Sequence, residues 1–357
     1  MALCGGPYNT ASTLSHSDRA MTQPWTEYLA EEGARIRELE VSFPATPVDP
    51  ASCHAVPLLH LARIGSRGEE TAGFLHNLLS NDVKHLAADG VAWNSFNTPK
   101  GRMLASLLMH RDLDGYGIVL SADIAPAILK RLSMYVLRSK VKLALDEAVL
   151  IGLCGADTAA TLTAAGIAVP PEAMRQSIAD DVRCIRLQGD NFVLITDTRH
   201  APALWLRLRD AGAQAAGTDQ WQLAMIRAGL PLITAATQEE FVPQMLNFEL
   251  IGGVSFNKGC YPGQEIVART QYLGKLKKRM YRVHVPAGGT PTAGDDLYTP
   301  GFGEQSAGKL VNVSPAPEGG FEALAVLQIS CAEAGEAHVG APDGAPVRFL
   351  SLPYPLA

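Results

Sequence analysis

No two of the six cysteines, Cys4, Cys53, Cys154, Cys184, Cys260 and Cys331, stand in a C-x-x-C arrangement. That absence argues against a zinc knuckle or a self-contained iron–sulfur site, whose ligands come at close spacing. It argues equally against a disulfide framework, so a reducing cytoplasm is the expected compartment. No apolar run approaches the roughly 20 residues that a membrane-spanning helix needs. Excess positive charge is missing too: the net charge of −6 gives no global attraction to nucleic acid or to an anionic membrane. Charged residues make up 18% against 47% hydrophobic, too apolar a balance for a disordered chain. The first twenty residues hold one basic residue, Arg19, and no apolar core, so neither a secretory signal nor a transit peptide is expected there. The span 1–45 reads as an N-terminal extension, either a disordered tail or an over-extended start ahead of Met21.

A chain of 357 residues exceeds one ordinary core, so two or three domains are expected. Residues 58–64 read as a strand and 68–79 as a helix carrying Phe74, Leu75, Leu78 and Leu79 on one side. Apolar runs at 103–109 and 116–120 flank Asp112-Leu113-Asp114-Gly115, a hairpin signal in which the glycine is expected to supply a positive φ. A helix over 123–137 and an alternating strand at 141–145 follow. The order recurs at 149–153, 156–165, 182–187 with 192–196, and 199–210. Strand, helix, hairpin, helix, twice over, predicts two related split βαβ (ferredoxin-like) modules. After Gly274, short strands at 279–285, 305–313, 321–328 and 347–350 sit between Pro/Gly-rich turns and predict a small antiparallel β-barrel. The class is α+β, with α/β domains near 46–148 and 149–274 and the barrel at 275–357.

The most informative stretch is Lys258-Gly259-Cys260-Tyr261-Pro262-Gly263-Gln264-Glu265. Pro262 suits the first turn of a helix, and 264–270 reads as helical with Ile266 and Val267 buried. Cys260 is then expected beside unpaired N–H groups at the positive end of the helix dipole. That field and the Lys258 ammonium both favour thiolate over thiol, the state a reactive cysteine needs. Gly259 and Gly263 let the backbone approach a partner closely. Gln264 and Glu265 are placed to bond free N–H groups of the first turn. Tyr261 offers a ring for stacking on a ligand or for filling the core beside the barrel. On these residues alone, a tight turn packing a small buried sulfur is an open alternative.

Flanked by Gly253-Val254-Ser255-Phe256 and Ala268-Arg269-Thr270, this octapeptide resembles the hallmark of the YgfZ family. These are folate-binding, aminomethyltransferase-like proteins that support iron–sulfur cluster assembly or repair. Four upstream blocks are similar to the family's as well: Phe74 to Val83, Asn97 to Arg102, Arg227 to Pro231, and Pro243 to Asn247. The resemblance implies two interleaved α/β domains and a terminal barrel around a central cavity. It implies a tetrahydrofolate ligand or one-carbon derivative, and Cys260 as the essential thiol beside Lys258. It also implies iron–sulfur assembly or carrier proteins, and iron–sulfur enzymes, as partners.

Other candidates carry two readings each. Lys100 and Arg102 flank Gly101 after Pro99, which disfavours the helical conformation at Thr98. They suit a carboxylate-rich ligand such as a polyglutamylated folate tail, or solvent at a strand entry. Glu249, just after Asn247-Phe248, offers a carboxylate for the paired N–H donors of a pterin, or is a surface loop residue. The resemblance adds Asn247 and Arg227 to the ligand-binding set. Lys275, Lys277, Lys278, Arg279 and Arg282 form a basic cluster without interleaved aromatics, so a solvated strand edge is expected there and a nucleic-acid partner is not. His54 beside Cys53, and His76 near His85, lack metal-ligand spacing. They read as fillers of surface or core, and no metal is expected.

Two departures from glycine-cleavage aminomethyltransferases bear on mechanism. Their segment resembling 100–107 carries an aspartate pair, the first of which is catalytic. Here Arg102-Met103-Leu104-Ala105-Ser106 offers no group to move a proton or stabilise an iminium. Their pterin-binding glutamate is matched here by Arg227, and a guanidinium cannot accept hydrogen bonds. Aminomethyl transfer is therefore not expected. The leading expectation is a tetrahydrofolate-binding accessory factor in iron–sulfur cluster assembly or repair, acting through Cys260. The alternatives are a tetrahydrofolate-dependent one-carbon transferase or demethylase, and a non-enzymatic scaffold without folate.

Overall fold

The computed structural model describes residues 24–44, 49, 51–274 and 276–356. Most of the expected tail, and Lys275 of the basic cluster, lie outside the described residues. Within the span read as an extension, residues 24–44 build a helix, Trp25–Glu31, and a strand pair, Arg35–Arg37 with Glu40–Ser42. Trp25, Tyr28 and Leu29 share one face at helical spacing, and all three are buried. Trp25 meets Trp205 edge-on with 5.9 Å between ring centroids, so this segment is packed onto the second α/β module.

The first module is a five-stranded antiparallel sheet in the order Val91–Asn97, Met103–Asp112, Gly115–Ser121, Leu61–Arg67, Lys142–Leu145. Helices Thr71–His76 and Ala125–Ser133 accompany it, both shorter than the sequence predicts. The hairpin at 112–115 forms, but Gly115 does not carry a positive φ. A Cβ there would stand 2.0 Å from the Ser66 carbonyl oxygen, so close strand approach is what demands glycine.

The strand expected at 58–64 resolves into two, Cys53–Pro57 and Leu61–Arg67, which join different sheets. The second sheet runs Arg175–Ala179, Val182–Arg186, Phe192–Asp197, Ala148–Gly155, Cys53–Pro57, Gln214–Ala215. Cys53–Pro57 is inserted between the first and last strands of this module, antiparallel to one and parallel to the other, so the two modules interleave along the chain. Helices Thr158–Ala164 and Ala201–Asp210 bury Leu162, Leu204, Trp205 and Leu208 against one face.

A buried polar bridge joins the two sheets. Asp112 accepts from Arg183 Nη2 at 2.6 Å and also holds Arg63, which reaches Asp146 with its other nitrogen. His110 lies between these groups, and burial, reinforced by Arg183 and Arg63, holds its pKa well below the ordinary range.

Helix Thr218–Arg227 packs on strand Ala148–Gly155 and on Gly308–Pro315 of the C-terminal unit. That unit is a nearly closed, barrel-like antiparallel sheet of seven strands, in which Lys278–Val285, Gly308–Pro315 and Phe321–Gln328 are the long members. Ala323, Ala325 and Leu327 face its interior, while Leu324 and Val326 alternate onto the main core. Among the described residues, no helix is long and apolar enough to cross a membrane.

Candidate functional site

Blocks far apart in sequence meet at the cysteine loop. Ser80 Oγ donates to the Gly253 carbonyl and Asn81 Nδ2 to that of Gly252, both at 2.6 Å, while Ser255 N donates to Ser80 O at 3.0 Å. Residues 98–102 form a tight turn closed by Gly101 N to Thr98 O at 2.9 Å and Thr98 N to Arg102 O at 2.8 Å. The turn lies against the start of helix Gln264–Tyr272. Gly263 has φ 81°, and a Cβ on it would stand 2.6 Å from Thr98 O, so only glycine fits this junction. Gln244 Nε2 donates to Val267 O at 2.7 Å and anchors the 243–247 block to the same helix.

Cys260 is the exposed cysteine; the other four described cysteines are buried. Burial pushes the thiol of Cys53 up and those of Cys154 and Cys184 up to about 12, so none of the three readily ionises. The helix starts at Gln264, as the sequence predicts, and runs on to Tyr272: Gly263 caps it, no side chain does, and Pro262 lies outside it. Cys260 thus precedes the first turn, where the dipole field has fallen off. Lys258 Nζ donates to the carbonyls of His76 and Leu79 and lies 4.9 Å from the Tyr261 ring centroid. Its charge is spent on the carbonyl end of helix Thr71–His76, not on the thiol. Burial, with a smaller push from Lys84 and opposed by Asp82, lowers Lys258 to about 8.

The remaining motif residues are structural in their contacts. Tyr261 is buried, its hydroxyl pushed up to about 12 by that burial, and it presents no stacking surface to a ligand. Glu265 is exposed and pairs with Arg269 one turn on, at 3.1 Å. Gln264 donates through its backbone N–H to Tyr261 O at 3.1 Å. Neither side chain makes the expected cap. Gly259 leaves its side open towards His76, whose Nε2 would lie 4.0 Å from a Cβ on that glycine.

A cavity of about 900 Å³ lies elsewhere, between the second module, helix Thr218–Arg227 and the C-terminal segment. His54, Gln188, Asn191, Gln220, Arg227 and Tyr354 supply its polar lining. The first module does not line it, in contrast to the expected position between the two α/β domains. Of the predicted ligand residues, Arg227 lines it, and Lys100, Arg102, Asn247, Glu249 and Tyr261 do not. Lys100 and Arg102 are exposed, with Arg102 Nη1 bonded to the Glu240 carbonyl. Glu249 pairs with Arg279 at 2.7 Å, and Arg279 also donates to Asn247 Oδ1 at 3.0 Å. Burial raises the Glu249 pKa against the pull of Arg279, and this network backs onto Tyr354 at the cavity wall. Arg227 itself is held by Glu322 Oε1 at 2.6 Å.

From sequence, His54 and His76 read as fillers of surface or core, without a role at a site. His54 is 3% exposed, lines the cavity, and its Nε2 is buried without a hydrogen-bond partner. Nothing in its spacing signals this, because its neighbours in the cavity come from residues 154 to 354. Among the described residues, no cluster of His, Cys, Asp or Glu is arranged to hold a metal ion.

No family model matches the chain. Over 322 residues it is 31% identical to the tRNA-modifying protein YgfZ of Sodalis glossinidius (strain morsitans), covering 88% of this chain and 98% of that one. It is 32% identical over 263 residues to the tRNA-modifying protein YgfZ of Enterobacter sp. (strain 638), covering 71% and 80%. Among solved structures, the glycine cleavage system aminomethyltransferase T of Bartonella henselae superposes with a TM-score of 0.76 over 93% of this chain and 97% of that one. At 19% identity that likeness shows the aminomethyltransferase fold and nothing finer. The relatives overturn the expectation of an accessory factor for iron–sulfur cluster assembly or repair, since they are described as tRNA-modifying. Their similarity spans 88% and 71% of the chain, and the hallmark octapeptide is assembled against its partner blocks: the chain belongs to the YgfZ family.

Proposed function

We propose that this chain takes part in tRNA modification, with the Cys260 loop as its working centre and a folate-type ligand, tetrahydrofolate or a one-carbon derivative, in the cavity. The observation that carries the reading is near-full-length identity to proteins described as tRNA-modifying. The convergence of distant blocks on the one exposed cysteine among the described residues supports it. The cavity's residues fit a folate: its volume falls within the usual range of roughly 300–1,000 Å³ for small-molecule sites. His54 Nε2 is an unpartnered polar atom at the wall, and the amides of Gln188, Asn191 and Gln220 can pair with a heterocycle. Leu223, Ala224 and Ile251 supply apolar lining. When bound, such a ligand would supply one-carbon chemistry.

The contribution is to modification chemistry and not a grip on the tRNA backbone. The net charge of −6 gives the chain no global attraction to a polyanion. The compartment proposed is the cytoplasm, where unpaired cysteines stay reduced. The test is mass spectrometry of tRNA nucleosides from cells lacking the gene. At least one modified nucleoside should fall, return with the wild-type gene, and stay low with Cys260→Ser. An unchanged nucleoside profile on deletion would sink the role, and calorimetry without a heat of tetrahydrofolate binding would remove the ligand.

A further inference from the structure

Three large apolar side chains stand in solvent where helix Ala125–Ser133 ends: Met134 is 62% exposed, Tyr135 40% and Leu137 89%. Single apolar residues on a surface need no explanation, but three within four positions do. The segment is tied down. Tyr135 N donates to Leu132 O at 3.0 Å, Ser139 N to Val136 O at 2.7 Å, and Val141 N to Ser139 O at 2.8 Å. The Lys140 N–H is bonded to the Glu70 carboxylate, and Tyr135 meets Phe96 edge-on with 6.4 Å between ring centroids. Leu137 sits at φ 43°, in the left-handed region that a residue with a Cβ enters at a cost. The backbone thus holds a leucine fixed in water, and a fixed anchor loses little freedom when a partner covers it.

Two open hollows, of about 520 and 640 Å³, share Glu70, Tyr135 and Ser139. The first extends to Phe74, Asn77 and Leu78. Asn77 follows His76, whose carbonyl binds the ammonium of Lys258, two residues before Cys260. The acids of this hollow are engaged: Glu69 pairs with Lys140 at 2.8 Å, and Glu70 holds the Lys140 N–H. The cations around it are not. Lys130, Arg138 and Lys142 are exposed and Arg131 is half-buried, and among the described residues none of the four has a carboxylate within ion-pair distance. Helix Ala125–Ser133 packs on strand Lys142–Leu145, the outer strand of the first sheet, so the four lie at one edge of the module.

We propose that this edge of the first module docks a partner protein through a segment that carries acidic side chains around apolar ones. The apolar side chains of that segment enter the hollows and cover Met134, Tyr135 and Leu137, while its carboxylates meet Lys130, Arg131, Arg138 and Lys142 at the rim. Hollows that share one aromatic ring suit the side chains of a protein, whereas a bilayer would need a continuous apolar face and would bring anionic headgroups against Glu69 and Glu70. RNA would meet the same two carboxylates, and Met134 and Leu137 offer no ring on which a base could stack. The docked segment reaches the helix end that holds the cysteine loop; the surface itself does not depend on a role in tRNA modification.

The test is photo-crosslinking of the full chain in its native cells, with p-benzoylphenylalanine placed at Leu137, where the side chain is in solvent. Adducts are digested and the crosslinked peptide is sequenced by mass spectrometry. One protein should be trapped, through a segment of net negative charge that contains apolar residues. The same crosslinker at Met134 should trap the same protein. At Ile178, 52% exposed on an edge strand of the second module, it should not. Arg138→Glu combined with Lys142→Glu should lower the yield about tenfold and leave the urea midpoint unchanged, because both side chains lie in solvent. The proposal is overturned by no protein adduct at either position, by the same adduct at Ile178, or by a trapped segment that is neutral or basic. A trapped peptide of this chain itself would make the surface a self-association face, and an RNA or lipid adduct would assign it to those polyanions; either result rejects the partner protein. A yield indifferent to the charge reversal does so too.

Discussion

Gly263→Ala is expected to pry apart the two backbone segments that meet at the cysteine loop. The added methyl would lie 2.6 Å from Thr98 O, 2.7 Å from Gly101 Cα and 2.8 Å from Gly101 N. All three are backbone atoms, so no rotamer change relieves the overlap, and the turn must retreat by roughly 1 Å to reach ordinary contact distance. The turn is tied down by its own hydrogen bonds and by Met103 N to Phe241 O at 2.8 Å, so retreat breaks structure. Overpacking of this kind costs about 1–3 kcal/mol. The left-handed conformation at φ 81° adds about 1–2 kcal/mol for any residue with a Cβ. A total of about 2–5 kcal/mol is less than the stability of most domains, so the variant should fold with a loosened loop. Urea denaturation measures the global loss, and hydrogen exchange of the amides at 98–102 and 259–267 measures the local one. Gly259→Ala is the control, because its methyl meets nothing nearer than 4.0 Å and its φ is not positive. A Gly263→Ala protein within about 0.5 kcal/mol of wild type, with unchanged exchange in both segments, would refute the claim that this junction requires glycine.

Lys258→Met should change how stability depends on pH. The folded lysine titrates near 8 and the unfolded one at its ordinary 10.5, so the unfolded chain binds more protons between those values. Wild-type stability should therefore rise from pH 8 to 10.5 relative to the methionine variant, and the difference should be flat below pH 8. Parallel denaturation curves for the two proteins across that window would contradict the burial of this ammonium. Asp112→Ala removes the carboxylate that Arg63 and Arg183 share at the junction of the two sheets. Leaving buried guanidinium groups short of a partner should cost about 3–5 kcal/mol, read as a lowered urea midpoint. A loss under about 1 kcal/mol would mean that Asp146 and water satisfy the two arginines without it.

What the sequence discloses here depends on how local the physical cause is. The hairpin at 112–115 and the strands 182–186 and 192–197 are legible because alternation and turn residues sit within one short window. Helix Thr218–Arg227 is not, because it is wedged between two sheets and buries Trp221, Leu223 and Ile226, which do not fall on one stripe. Strand Arg175–Ala179 is an edge strand of mixed polarity and gives no apolar run to read. Cys53–Pro57 looks continuous with the strand after it, and only pairing with Ala148–Gly155 and Gln214–Ala215 assigns it to another sheet.

The site divides along the same line. The octapeptide discloses where the exposed cysteine is, because glycines, a proline and a cysteine at fixed spacing define a loop whatever surrounds it. It misdirects about what Lys258 contacts. Adjacent charge makes Lys258 the natural activator on paper, yet a four-carbon stem reaches any acceptor nearby, and the carbonyl end of a helix 182 positions upstream is a better one than a thiol. The same helix end brings His76 to the loop, in a block where a lone histidine has no spacing partner to mark it. Exposure decides the other misreading: Lys100 and Arg102 have the charge for a carboxylate ligand, but they sit outside the cavity, whose own cation, Arg227, is tied to Glu322. Residue type sets which chemistry is available, and tertiary contact selects which of the available groups performs it.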